Sequence, residues 1–175
     1  MSQPDLSGAR VLIAGAKGYA GSILRSVLNA CGILRVDIVE DPRRALDLLC
    51  LEAFDAVFIE DELALDGVPF AIAARRNPTL RNPLIPIFAV YSGARRRDVE
   101  KSRDLGINDV IARPISPKTI SEKLWAAMRT PRPFIAGASF FGPDRRSKSR
   151  TDTPLLREDR RKRKPQKAKL QVLEV

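Results

Sequence analysis

Apolar residues along this chain fall into two alternating kinds of run. The short kind is near-continuous: "VLIA", "DAVFI" and "IPIFAV" carry almost no polar interruption. Strands covered on both faces of a sheet read this way. The longer kind repeats at helical spacing: Ile23, Leu24, Val27, Leu28 and Cys31 form one apolar stripe. The pattern predicts strands at about 10–14, 35–39, 55–60, 85–91 and 108–112, with helices at about 19–31, 42–51, 67–76, 95–105 and 117–129. Pro42 and Pro117 mark helix starts, where the missing N–H costs little. Regular strand–helix alternation with short connections predicts an α/β domain built on a doubly wound parallel sheet.

The stretch "VLIAGAKGYAGSILRSVL" places Gly15, Gly18 and Gly21 between the first strand and the first helix. Glycines there, with a helix N-terminus behind them, can cradle a phosphate. Glu40 and Asp41 follow the second strand, where a dinucleotide site keeps its ribose-binding acid. The spacing is G-x-x-G-x-x-G, and the alternative reading is a tight turn whose glycines serve packing. An NAD(P)-dependent enzyme also needs a substrate domain or further catalytic groups. A body of about 130 residues leaves little room for them, and no Tyr-x-x-x-Lys pair follows.

Charge divides the chain. The formal net charge of the 175 residues is +10, and residues 131–175 hold 13 Lys+Arg against 5 Asp+Glu. The body is therefore near neutral and the tail basic. With no His and two cysteines, Cys31 and Cys50, a zinc site is improbable; both cysteines read as small core residues. The N-terminus "MSQPDLSGAR" lacks a signal core and no run approaches a membrane span, which predicts a cytoplasmic protein.

In such sheets ligands sit at the carboxyl ends of the strands. Those ends carry Gly15 and Ala16, then Glu60 and Asp61, then Tyr91 and Ser92, then Arg113 before Pro114. Together "GINDVIARPISPKTI", the "LDG" after strand three and the "NPLIPIFAV" entry into strand four resemble a response-regulator receiver domain, the CheY-like family, over roughly residues 8–129. The resemblance implies a flavodoxin-like strand order, 2-1-3-4-5. It also implies an acidic pair after strand one, a phospho-accepting Asp ending strand three, a Thr or Ser ending strand four, and a Lys before a cis proline ending strand five.

This chain departs from that pattern at the acidic pair, the acceptor and the lysine. Gly15 and Ala16 replace the acids, Glu60 stands at the phospho-acceptor, Tyr91 or Ser92 at the hydroxyl, and Arg113 at the lysine. Val110 occupies the place of a switching aromatic. Receiver chemistry needs a carboxylate nucleophile and a Mg²⁺ held by oxygen ligands. The expectation is thus a degenerate receiver with no metal and no cofactor, acting non-enzymatically by protein–protein contact. Its partners would be a kinase, motor or regulator met through the helix four–strand five–helix five face. Glu60 is expected to pair with Arg113, as a structural bridge or as an imitation of the phosphorylated acceptor. Asp66 reads as a loop cap before Gly67, and Asp61 as a solvated acid.

Residues 1–7 read as a leader and 130–175 as a largely disordered basic tail, with Phe134, Ile135, Phe140 and Phe141 as the part able to dock on the body. Arg145–Arg146 and Arg160–Arg161, each beside an aspartate, Asp144 and Asp159, suit a phosphate ligand. An alternative function follows: a receiver-like scaffold whose tail binds a cyclic dinucleotide or nucleic acid.

Overall fold

The computed structural model describes residues 5–60, 63–93, 95–137 and 140–144, and the backbone of 156–158. The elements run β1 (Arg10–Ala14), α1 (Tyr19–Ala30), β2 (Arg35–Val39), α2 (Pro42–Leu51), β3 (Ala56–Glu60), α3 (Phe70–Arg76), β4 (Ile87–Tyr91), α4 (Arg96–Asp104), β5 (Asp109–Ala112) and α5 (Pro117–Arg129). These five strands form one sheet in the order 2-1-3-4-5, all pairs parallel, as expected.

Side-chain alternation along each strand splits the core into two layers. Leu12, Val57, Ile59, Ile87, Ala89 and Tyr91 pack with Ala45 and Leu49 of α2 and with Phe70, Ala71 and Ala74 of α3. Val11, Ile13, Phe58, Phe88, Val90 and Ile111 pack on the other face with Leu24 and Leu28 of α1 and Ile120 and Leu124 of α5. Phe58 and Phe88 stack within the second layer, ring centroids 5.0 Å apart.

Local chemistry sets the element ends. The Asp41 carboxylate caps α2, accepting from the Arg43 and Arg44 N–H groups. Ser116 caps α5 through the Thr119 N–H, ahead of Pro117. α3 begins three residues later than the sequence pattern suggests, because Val68–Pro69 pairs with Ala64–Leu65 in a small antiparallel ribbon. Asp66 turns that ribbon with φ 51°, and its carboxylate meets Arg43.

Three smaller readings need correction. Ile23 is exposed rather than part of the buried α1 stripe, since it points past the packed Leu24–Leu28 line. Cys31 and Cys50 are half-buried, not core. Cys31 Sγ reaches the Pro117 carbonyl, and Cys50 Sγ accepts from Asn77 and Thr79, so polar loop contacts hold both at the edge.

Beyond α5 the chain returns as β6 (Phe134–Ala136) and β7 (Phe141–Pro143), an antiparallel pair, with β8 (Leu156–Glu158) parallel to β6. Phe134 is buried. Its ring lies 4.8 Å from the guanidinium carbon of Arg75, a cation–π contact. Among the described residues no helix is long and apolar enough to cross a membrane.

Candidate functional site

β3 and β5 deliver the two charged groups of the site. Glu60 ends β3 and Arg113 follows β5. Arg113 Nη2 donates to Glu60 Oε1 at 2.7 Å, with side chains 27% and 17% exposed. The same guanidinium reaches Ser92 Oγ through Nη1 at 3.3 Å. The Arg113–Pro114 peptide bond is cis, as the resemblance implies.

β1 brings Gly15 and Ala16 to the same end. Gly15 has φ +79°, and its N–H donates to the Val39 carbonyl. A Cβ added at Gly15 would lie 2.5 Å from Leu63 Cδ1. The space beside Gly15 is thus filled by a leucine from the loop after β3. Ala16 is buried. Gly21 packs its α-carbon face against Ile38 and Ala16, so this glycine serves close helix–sheet approach.

Tyr91 and Ser92 separate. Tyr91 belongs to the strand face that meets α3 and α4, and its hydroxyl lies 2.9 Å from Ser102 Oγ of α4, both side chains buried. Ser92, one residue on, is exposed and stands beside Arg113. Val110 is half-buried against the α2–α3 layer. Asp61, Arg145, Arg146, Arg160 and Arg161 lie outside the described residues.

The described residues do not fit a divalent cation. Gly15 and Ala16 supply no side-chain oxygen, Leu63 packs over Gly15, and Glu60 Oε1 is engaged by Arg113. Among the described residues no cluster of three or more His, Cys, Asp or Glu side chains gathers to hold a metal.

Three residues of consequence went unrecognised in the sequence. Leu63 carries no signal in "EDELALDG" beyond being apolar in a polar loop. Ser102 is a small hydroxyl amid the charges of "ARRRDVEKSRDLG". Arg75 lies four residues after Ala71, which places it on the same inward face of the helix. It is buried, and its guanidinium donates to the Gly106 and Pro83 carbonyls and to Asn108 Oδ1. Burial pushes it down to about 9 from its ordinary value.

No protein-family model matches the chain. A curated relative, "Hybrid signal transduction histidine kinase I" of Dictyostelium discoideum, is 26% identical over 119 residues, covering 65% of this chain. The chain spans 7% of that protein's length. The fold is that of solved receiver domains. One belongs to a sensor histidine kinase of Pseudomonas aeruginosa, with magnesium coordinated in its active-site cleft; the TM-score is 0.60 at 24% identity, over 70% of this chain and 98% of that one. A sensor protein from Polaromonas gives TM-score 0.60 and 24% identity over 70% and 97%. Chemotaxis protein CheY4 of Vibrio cholerae gives 0.55 and 19% over 66% and 95%. The class defined by sheet order and helix placement is therefore the CheY-like response-regulator receiver fold.

Proposed function

We propose that this protein is an atypical receiver of bacterial two-component or phosphorelay-type signalling, which acts by protein–protein contact and not by metal-dependent aspartyl phosphorylation. The observation that carries this reading is the 2.7 Å pair between Arg113 and Glu60, the residue that the resemblance to receivers aligns with the acceptor. A carboxylate bound by a guanidinium is a satisfied acceptor, not a presented nucleophile. The lack of side-chain oxygens at Gly15 and Ala16 supports the same conclusion, since no carboxylate there would hold a Mg²⁺ against an incoming phosphoryl group. In this reading Glu60 and Arg113 hold one output state permanently, with Ser92 as second contact for the arginine. The output surface is α4, β5 and α5, whose exposed charges include Arg96, Arg103 and Lys118. The likeness to receivers of histidine kinases supports partners of the kinase or regulator class.

Crosslinking mass spectrometry in the native cell tests the reading. Lys118 and Lys123 on α5 are expected to crosslink to a signalling protein, with a yield unaffected by acyl-phosphate donors. Crosslinks to no protein from these lysines, or crosslinks that appear only after phosphoryl donors are supplied, would overturn it.

A further inference from the structure

Beneath α4 lies a pocket of about 100 Å³, open to solvent along a rim that includes the exposed residues Ala64, Gly67 and Lys101. Leu63 and Phe70 wall it on the β3–α3 side, and Leu105 and Ile107 wall it after α4. Space opens because three lining positions carry only methyls, Ala64, Ala71 of α3 and Ala89 of β4, and Gly67 carries no side chain. Protein interiors are ordinarily packed to crystal density, and a void forfeits the dispersion contacts of its lining atoms.

The lining also says what would fit. Glu60 and Lys101 are its charged members, one of each sign, and Glu60 is already engaged by Arg113. The rest of the lining is apolar apart from the Tyr91 hydroxyl, which is bonded to Ser102. Among the described residues no buried side-chain N or O lacks a hydrogen-bond partner, so no orphaned polar group calls for a polar ligand. Closed apolar cavities of roughly 150 Å³ take up benzene or xenon, and the inner wall here, Ile59, Phe70, Ala71 and Ala89, is apolar in the same way although the rim is open. A site of this size suits a group of single-ring dimensions or smaller.

Its position gives occupancy a consequence. Tyr91 lines the cavity, and its hydroxyl meets Ser102 of α4. Lys101 and Leu105, also lining, flank Ser102 in α4 and at its C-terminal end. We propose that this cavity is a binding site for a small uncharged apolar molecule, and that filling it displaces α4 through Tyr91, Lys101 and Leu105. The site needs no phosphoryl chemistry, so it stands or falls independently of the signalling reading above.

Methyl and amide NMR of the full-length protein tests the site, with benzene and xenon as probes. Saturable shifts are expected at the Ala71, Ala89, Leu63 and Leu105 methyls, accompanied by movement of the Ser102 amide. Ala71→Leu fills the cavity, and Ala64→Leu narrows it from an exposed lining position that leaves the core alone. Each is expected to weaken both probes at least tenfold. Absence of saturable shifts up to the solubility of the probes, or equal shifts in the variants, overturns the site. Saturation at the lining methyls with an unmoved Ser102 amide overturns the link to α4.

Discussion

Leu63 stands where a side chain on Gly15 would have to go: a Cβ at Gly15 falls 2.5 Å from Leu63 Cδ1. Leucine in the β3–α3 loop and glycine at the end of β1 are therefore one packing solution, not two independent losses. Gly15 also holds φ +79°, a conformation that L side chains rarely adopt. Gly15→Ala is expected to cost about 1–3 kcal/mol, from backbone strain and the clash together. The clash is shared, so adding Leu63→Ala should recover part of that cost. Urea titrations of the two single variants and the double measure the coupling; strictly additive effects would mean that the two residues do not compete for space.

Glu60→Gln leaves the Arg113 guanidinium facing a neutral amide in a site about one-quarter exposed or less. A loss of about 1–3 kcal/mol is expected. Arg113→Lys keeps the charge but not the fork that reaches both Glu60 and Ser92, and should cost less. Thermal melts decide this. Curves identical to the parent for both variants would show the pair to be energetically idle.

Arg75 is expected to be the anchor of the C-terminal strands. Its guanidinium ties Gly106, Pro83 and Asn108 together and carries the Phe134 ring on its face. Burial lowers its affinity for the proton, yet at about 9 it stays charged at neutral pH. Arg75→Met removes three donors, one from a buried bond to the Gly106 carbonyl and two from part-buried bonds, and should cost about 2–4 kcal/mol. Phe134→Ala should loosen the ribbon first, read as faster amide exchange at Gly142 and Asp144 while β1 and β3 stay protected. Equal loss of protection in strands and ribbon would refute a separable anchor.

Tyr91→Phe removes one partner from the buried Ser102 hydroxyl and should cost about 1–2 kcal/mol. The effect should concentrate in α4, where amide exchange is expected to speed up. Tyr91→Phe combined with Ser102→Ala, which removes both hydroxyls, should be milder than the sum of the two changes. Unchanged exchange across Arg96–Asp104 would show that the hydrogen bond does not hold the helix.

The fold was readable because burial on both faces writes near-continuous apolar strands, and because Pro42 and Pro117 mark helix starts in ways that depend on neighbours in sequence. Strand alternation, likewise local, sends Tyr91 and Ser92 to opposite surroundings. Ser92, not Tyr91, joins Arg113, and the sequence left that choice open. Leu63 was invisible for a different reason. Its effect lies in a contact with Gly15, nearly fifty positions away, and an apolar residue in a loop does not announce which void it fills. Arg75 was half-legible: its spacing four residues from Ala71 turns it inward, but its partners Gly106 and Asn108 come from the turn before β5. The late start of α3 follows from pairing between Ala64–Leu65 and Val68–Pro69, segments too short for periodicity to register.

The central claim is that this receiver fold has given up metal-dependent phosphoryl transfer at Glu60. Incubation of the full-length protein with acetyl phosphate and Mg²⁺, followed by intact-mass spectrometry before and after hydroxylamine, tests it most directly. The account predicts no hydroxylamine-labile gain of a phosphoryl group, with or without Mg²⁺. A Mg²⁺-dependent, hydroxylamine-labile adduct mapped to Glu60 or to the adjacent Asp61 would contradict it.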